Sequence, residues 1–430
     1  MDDLLTSYGA AIEALFARTT SGIKPGLERT EALLAKLGSP HLKLPAIHVA
    51  GTNGKGSVVA TCEALLRSRG CKIGRYTSPH LIDFRERITV DGVPISEGEV
   101  LAFLERWVPV AEDLGATFFE ITTALAFDWL SRQNVDYAVI ETGLGGRLDS
   151  TNVLKPLAAT VTSIGLDHTD LLGDTLEAIA REKAGIFKQG TPAVIGEREP
   201  RIKDLLVHCA TEAGASPIVL EDVYRITDVD IDSTGTTFTL ECNPPRITSR
   251  VTTPLIGQHQ ARNTAIAMAT VGAIGGDLLP EADKLSEALS TVFLPGRFQR
   301  SGRFIFDVAH NPDGARTVAA SLMATDPPHP RTALLAVLAD KDWRGIIGAL
   351  SAVVDRFVFT EAPSAPAERR WQPAEADAFA RSQGIDSRVV ASLDSAIAEA
   401  DRGSGTVLVT GSFHTVGDVM SRLQVSPFAA

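Results

Sequence analysis

Cysteine is scarce in this chain: four in 430 residues, Cys62, Cys71, Cys209 and Cys242, with no C-x-x-C pair and no histidine at zinc spacing. That excludes a disulfide framework or a structural zinc site, and buried, reduced thiols are expected, as in a cytoplasmic protein. Positive charge is also short, since 41 Lys and Arg face 53 Asp and Glu for a formal net charge of -12. Binding nucleic acid along its phosphates needs clustered Lys and Arg, so an anionic substrate must be met by a local basic patch. No apolar run reaches the roughly 20 residues of a membrane span. The opening MDDLLTSYGAAIEALFA starts with two acids, without the basic start of a secretory signal. Neither nucleic acid nor membrane is an expected partner.

What is present is ordinary in bulk and distinctive in one stretch. Hydrophobic residues at 44% and charged residues at 22% suit a globular enzyme, and a chain this long predicts two or three domains. The distinctive stretch is Ala46 to Gly70, AIHVAGTNGKGSVVATCEALLRSRG. Ile47 to Ala50 is a short apolar run suited to a buried parallel strand. A glycine-rich turn ends it, and Ser57 onward predicts a helix with Val58, Cys62, Leu65 and Leu66 on its inner stripe. Strand, glycine turn and helix together aim backbone N–H groups and a helix dipole at a phosphate. Lys55 can reach the terminal phosphates, and the Ser57 hydroxyl can ligate the magnesium that accompanies a nucleotide.

The loop departs from G-x-x-x-x-G-K-[ST], because Gly56 separates the lysine from the hydroxyl residue. Gly-Thr-Asn-Gly-Lys-Gly-Ser resembles the loop of the Mur ligase superfamily, and within it folylpolyglutamate synthase and dihydrofolate synthase. Later motifs extend the resemblance along the chain: Thr77-Ser-Pro-His-Leu81, the string Glu141-Thr-Gly-Leu-Gly-Gly-Arg-Leu-Asp149, and Leu294-Pro-Gly-Arg-Phe298. The resemblance implies a magnesium site at Ser57, Ser78 and Glu141 and nucleotide contacts at Gly54, Lys55, Gly56, Ser57, Asn263, Arg297 and Asp307. It also implies pterin contacts at Arg29, Thr117, Leu148, Asp149 and Ser150, and a monomer. From the residues alone, Thr117 is a helix N-cap, and Glu141 is a carboxylate at the end of a buried strand, VDYAVIE. Arg85 and Arg87 are candidates for substrate carboxylates, which guanidinium binds bidentately.

Lys183 poses a physical question. A bare ammonium about 4 Å from a magnesium ion is repelled by roughly 8 kcal/mol at an effective dielectric near 20. Addition of carbon dioxide to the neutral amine gives a carbamate, a negatively charged oxygen ligand of the kind a hard cation prefers. The resemblance supplies that modification and implies a second magnesium held by Glu141, His168 and carbamylated Lys183. Imidazole is soft for magnesium, so manganese is an alternative.

Residues 1 to 21 predict an amphipathic helix, and 224 to 250 β-hairpin sequence turning at Ser233-Thr-Gly235. Beyond the boundary at Leu294 to Phe298 a strand-helix alternation restarts. Its polar strand ends, Asp307, His310, Asp340, Lys341 and His414, should gather on one edge facing the cradle. The expected fold is α/β: a mostly parallel P-loop sheet in an ATPase domain over 1–296, and a smaller Rossmann-like α/β domain over 297–430.

The expected activity is ATP-dependent carboxylate-amine ligation, joining L-glutamate to a folate or dihydropteroate carboxylate through an acyl phosphate. A cell-wall Mur ligase is the nearest rival in chemistry. It is expected to carry a further domain ahead of the cradle, whose strand here starts at Ile47. A P-loop ATPase switch is the rival of another class, and it leaves Thr77 to Leu81 and the second domain without a role.

Overall fold

A computed structural model describes residues 7–17, 26–242 and 247–428. Among the described residues seventeen strands form three sheets. The first holds eight: β1 (Ala46–Ala50), β2 (Ile73–Tyr76), β3 (Ile88–Val90), β4 (Val93–Pro94), β5 (Tyr137–Glu141), β6 (Ala158–Val161), β7 (Pro192–Ile195) and β8 (Ser216–Val219), in the order β4-β3-β2-β5-β1-β6-β7-β8. All neighbours from β2 to β8 run parallel. The central β1 is buried at every residue, which is why it reads as an unbroken apolar run. Among the described residues only the β2–β3 and β3–β4 pairs of this sheet are antiparallel, β4 folding back on β3 at Asp91-Gly92 with φ of 51° and 81°. An Asp-Gly pair between valines favours such a two-residue hairpin.

Three antiparallel strands, β9 (Tyr224–Ile231), β10 (Thr236–Cys242) and β11 (Ile247–Thr253), form the second sheet, turning at the expected Ser233–Gly235. Its Phe238, Leu240 and Val251 share a core with the Lys55–Arg67 and Gln258–Ile274 helices. The cradle helix is therefore buried along most of its length, all ten residues from Ser57 to Leu66, with polar members paired locally: Glu63 pairs with Arg75 and the Thr61 hydroxyl donates to the Ser57 carbonyl.

The third sheet contains β12 (Gln299–Ser301), β13 (Phe304–Phe306), β14 (Arg331–Leu335), β15 (Arg356–Phe359), β16 (Ser387–Val389) and β17 (Thr406–Thr410), ordered β12-β13-β17-β14-β15-β16. It is parallel except for β12, and separate apolar cores cover its two faces. Of the helix expected over 1–21, Tyr8–Ala17 is helical, and residues 1–6 and 18–21 lie outside the described residues. The expectation of buried thiols holds only for Cys62; Cys71, Cys209 and Cys242 are free but half-buried, being carried on surface-facing positions. No described helix is long and apolar enough to cross a membrane.

Candidate active site

The cradle forms where β1 ends. Gly54 has φ 89° and caps a helix that starts at Lys55, two residues earlier than the sequence indicates, because the glycines bend the chain directly into the first turn. Side chains are barred here by space as well as conformation. A Cβ on Gly54 would lie 2.6 Å from Asn263 Oδ1, and one on Gly51 1.8 Å from Thr162 Oγ1. Ser57 is buried in that first turn, and Asn263 is held by donating from Nδ2 to Gln260 Oε1 at 3.0 Å.

Two lysines converge on one carbonyl. Lys55 Nζ donates to the oxygens of Gly51 at 3.1 Å and Thr52 at 3.3 Å, and Lys183 Nζ donates to the same Gly51 oxygen at 3.0 Å. Lys183 is only 5% exposed. Burial, reinforced by the Lys55 charge, pushes its pKa down to about 7, so much of the amine is neutral near neutral pH.

Glu141, at the end of β5, places Oε1 3.8 Å from Lys55 Nζ, and its Oε2 accepts from the Ser78 N–H at 3.3 Å. Burial raises its carboxyl pKa against the opposing pull of Lys55 and Arg297. Arg297 and Phe413 bring the third sheet to the cavity that Gly56, Ser78 and Glu141 line, and the Arg297 Cζ sits 5.2 Å from the Phe413 ring centroid. Asp307 accepts from the N–H groups of Phe298 and Ala309, both at 2.9 Å, which fixes the turn carrying Arg297.

His168, on the loop after β6, has φ 52° and an exposed ring whose Nε2 is 3.8 Å from Asp167 Oδ2. Asp167 is the larger finding. Its Oδ1 accepts from Lys341 Nζ at 2.7 Å, and its Oδ2 is 3.5 Å from His310 Nε2. Burial opposes ionisation there, yet His310, His168 and Lys341 hold the carboxyl well below the usual carboxylate range. Two of the polar strand ends of the third sheet thus meet the first. Asp340 and His414 do not: Asp340 pairs with Arg369 and His414 with the Ser364 hydroxyl, within their own sheet's surroundings.

On the other flank, Arg29 Nε donates to Glu120 at 3.0 and 3.3 Å, and Glu120 Oε2 accepts from the N–H of Thr117, the N-cap of the Phe118–Arg132 helix. Asp149 is buried, with burial raising its pKa, and accepts from the N–H groups of Leu144 and Thr151 at 2.8 and 3.0 Å. The hydroxyls of Ser150 and Thr123 are 2.7 Å apart, and Leu148 is exposed. Among the described residues no three His, Cys, Asp or Glu side chains gather in a metal-binding group. A metal here needs ligands of other kinds: hydroxyls, phosphate oxygens or a modified lysine.

Residues 49–271 match the Mur ligase middle domain, and 296–413 the Mur ligase glutamate ligase domain. The dihydrofolate synthase/folylpolyglutamate synthase of Bacillus subtilis is 34% identical, the alignment covering 98% of this chain and 100% of that protein. The chain belongs to the folylpolyglutamate and dihydrofolate synthase family. The Escherichia coli member in complex with DHPP and ADP superimposes with a TM-score of 0.87 at 32% identity, covering 99% of each chain. A bifunctional folylpolyglutamate synthase/dihydrofolate synthase with Mn, AMPPNP and L-glutamate bound gives 0.84 at 31% identity, covering 98% of this chain and 99% of that one. Within this Mur-type ligase, Asp167 was not legible as a hub. Its one sequence signal is an acid beside a histidine at a strand's carboxyl end.

Proposed function

We propose that the chain is an ATP-dependent ligase joining L-glutamate to the carboxylate of dihydropteroate, a reduced folate or both, acting as a cytoplasmic monomer with a division between its two ligase domains at Arg297. A carboxylate oxygen of the acceptor attacks the γ-phosphorus of ATP, and the bond to the β-phosphate oxygen breaks to release ADP. The glutamate amine then attacks the acyl phosphate carbon, loses its proton, and phosphate leaves.

Positioning and charge neutralisation carry most of phosphoryl transfer. The backbone from Gly54 to Ser57 and the Lys55 ammonium hold the phosphates, and Arg297, Asp307 and Asn263 position the nucleotide. Arg29, Thr117, Leu148, Asp149 and Ser150 shape the pterin end. The donor chemistry fits a divalent cation: a buried carboxylate, Glu141, faces a phosphate cradle beside the serine hydroxyls. Ser57, Ser78 and Glu141 would hold one magnesium or manganese, and Glu141, His168 and a Lys183 carbamate a second; bound there, the metal offsets negative charge on the phosphates and acceptor. Lys183 suits carbamylation because its neutral amine is abundant near pH 7: Nζ bonds the carbon of carbon dioxide and releases a proton.

The observation that carries the reading is that Arg297, on the segment joining the domains, lines the same cavity as Gly56 and Glu141. Such closure excludes water from an acyl phosphate. The test offers dihydropteroate and tetrahydrofolate separately with ATP and glutamate and reads products by mass. Products heavier by one glutamyl residue are expected; ADP release at the same rate without glutamate, and no such product, would favour an ATPase switch.

A further inference from the structure

Two arginines follow the Thr77–Leu81 turn, and their surroundings differ. Arg85 is committed: its Nε donates to Asp83 at 3.1 and 3.0 Å, its Nη2 lies 2.6 Å from Asp83 Oδ2 and 3.6 Å from Glu97, and its Cζ covers the Tyr8 ring. Arg87 is only 6% exposed. Its Nε donates to His80 Nδ1 at 2.8 Å, and its Cζ lies 5.3 Å from the Phe118 ring centroid and 5.9 Å from that of Phe84. Among the described residues no carboxylate comes within ion-pair distance of Arg87, and neither Nη makes a hydrogen bond. Even the neighbouring Glu86 is turned away, accepting from the N–H groups of Leu81, Ile82 and Asp83 at 2.9, 2.7 and 2.6 Å.

A buried guanidinium without an anion is costly, and burial lowers the proton affinity of this one. Its partner does not compensate, because a histidine that accepts at Nδ1 is neutral and carries its proton on Nε2. Glu86 and Glu141 act on the charge only from a distance, so among the described residues no carboxylate pairs with it directly and its Nη edge is open to an anion from outside. Its position is specific. The Arg87 carbonyl accepts from the Thr77 N–H at 2.9 Å, next to Ser78, whose own N–H binds Glu141. On its other side Phe118 begins the helix capped by Thr117. Arg87 thus stands between the cradle's carboxylate and the proposed pterin end.

We propose that Arg87 is the residue that binds the acceptor's reacting carboxylate, its free Nη edge holding one oxygen while the other attacks the γ-phosphorus. Guanidinium suits this better than ammonium, since its planar fork fixes both the position and the orientation of a carboxylate. This rests on the ligase reading above.

The test compares binding of dihydropteroate with its decarboxylated analogue, a phenyl ring replacing the carboxyphenyl, by fluorescence titration of the full chain. A charge-assisted hydrogen-bond pair predicts that wild type prefers the acid by roughly 10- to 100-fold. In Arg87→Gln that preference should vanish, with analogue binding and the KM for ATP unchanged and the KM for dihydropteroate raised. Arg87→Lys should restore part of it, and serves as the test if the glutamine variant does not fold. Equal weakening of both ligands, or retained preference for the acid, overturns the assignment while leaving the ligase reading intact. A wild-type chain that binds neither ligand and forms no glutamyl product overturns both.

Discussion

The first and third sheets are both parallel α/β sheets, and they offer the site different things. At the carboxyl edge of the first, Lys183 and Glu141 are buried, short of partners and displaced from their ordinary pKa values. At the facing edge of the third, His310 and Lys341 are already engaged by Asp167, and Asp307 is satisfied by two backbone N–H groups. One edge keeps reactive groups in an unfavourable state, and the other supplies contacts that hold the two halves together. Burial disfavours the charged form at Lys183 and Glu141, where chemistry is expected, whereas the Asp167 carboxylate is held charged by its partners from the third sheet.

That contrast breaks most readily at Lys183. Lys183→Ala should lower ligase turnover on the order of 100-fold or more, the scale of removing a preorganised charge at a reaction centre. A short free carboxylic acid should partly restore it, by standing in for the carbamate. Full turnover in the variant would remove the carbamate from the mechanism.

Arg297 is the next largest. Arg297→Met should reduce kcat/KM for ATP roughly 10- to 100-fold, as expected for a lost charge-assisted contact, with acceptor binding in a nucleotide-free titration unchanged. An unchanged ATP dependence would mean that the linker arginine serves only to stack on Phe413.

Asp167→Asn sharpens the comparison from the positioning side. It removes the charge that bridges Lys341 and His310, and should destabilise the chain by roughly 1–3 kcal/mol. It should also raise ADP release per glutamyl bond formed, because looser closure admits water. The depressed Asp167 carboxyl contributes stability that is full above about pH 4, the unfolded value, and is lost as pH falls through its lower folded value. The gap between wild type and Asp167→Asn in denaturant melts should close in that acid range, and a gap constant from pH 7 to the acid limit would contradict the pairing.

The last effect is on stability alone and has the opposite sign. Unfolded, Lys183 is protonated below about 10.4, whereas in the fold it loses its proton near about 7. Its folding cost is absent above the unfolded value, grows as pH falls between the two, and levels off below the folded one. Lys183→Met in carbon dioxide-free buffer should therefore stabilise the protein at pH 7 more than at pH 10. Equal effects at both would show that Lys183 is not desolvated.

Much of this was readable in one dimension because the motifs are contiguous. The cradle, the Ser78 turn and the Glu141 strand end are each a run of neighbouring residues whose geometry follows from glycine, apolar burial and strand direction. The helix that Thr117 caps was equally plain, with a capping residue and an apolar face. The β3–β4 hairpin also carries a local signal, the Asp91-Gly92 pair between valines. No such local signal distinguishes Arg85 from Arg87, since both are arginines in a polar loop. Their difference comes from Asp83, Tyr8, His80 and Phe118, which only folding assembles around them.

The sequence by itself determined that a phosphate cradle, a strand-end carboxylate and two successive α/β units belong to one ligase chain, because backbone conformation and burial are written in short-range pattern. Only the tertiary structure decided that Asp167 joins the two halves, that two lysines share the Gly51 carbonyl, and that no carboxylate among the described residues pairs directly with Arg87. Those are questions of which charges meet and which are cut off from water. Coulomb energy and desolvation depend on distances between residues more than 100 positions apart, and no local pattern encodes them.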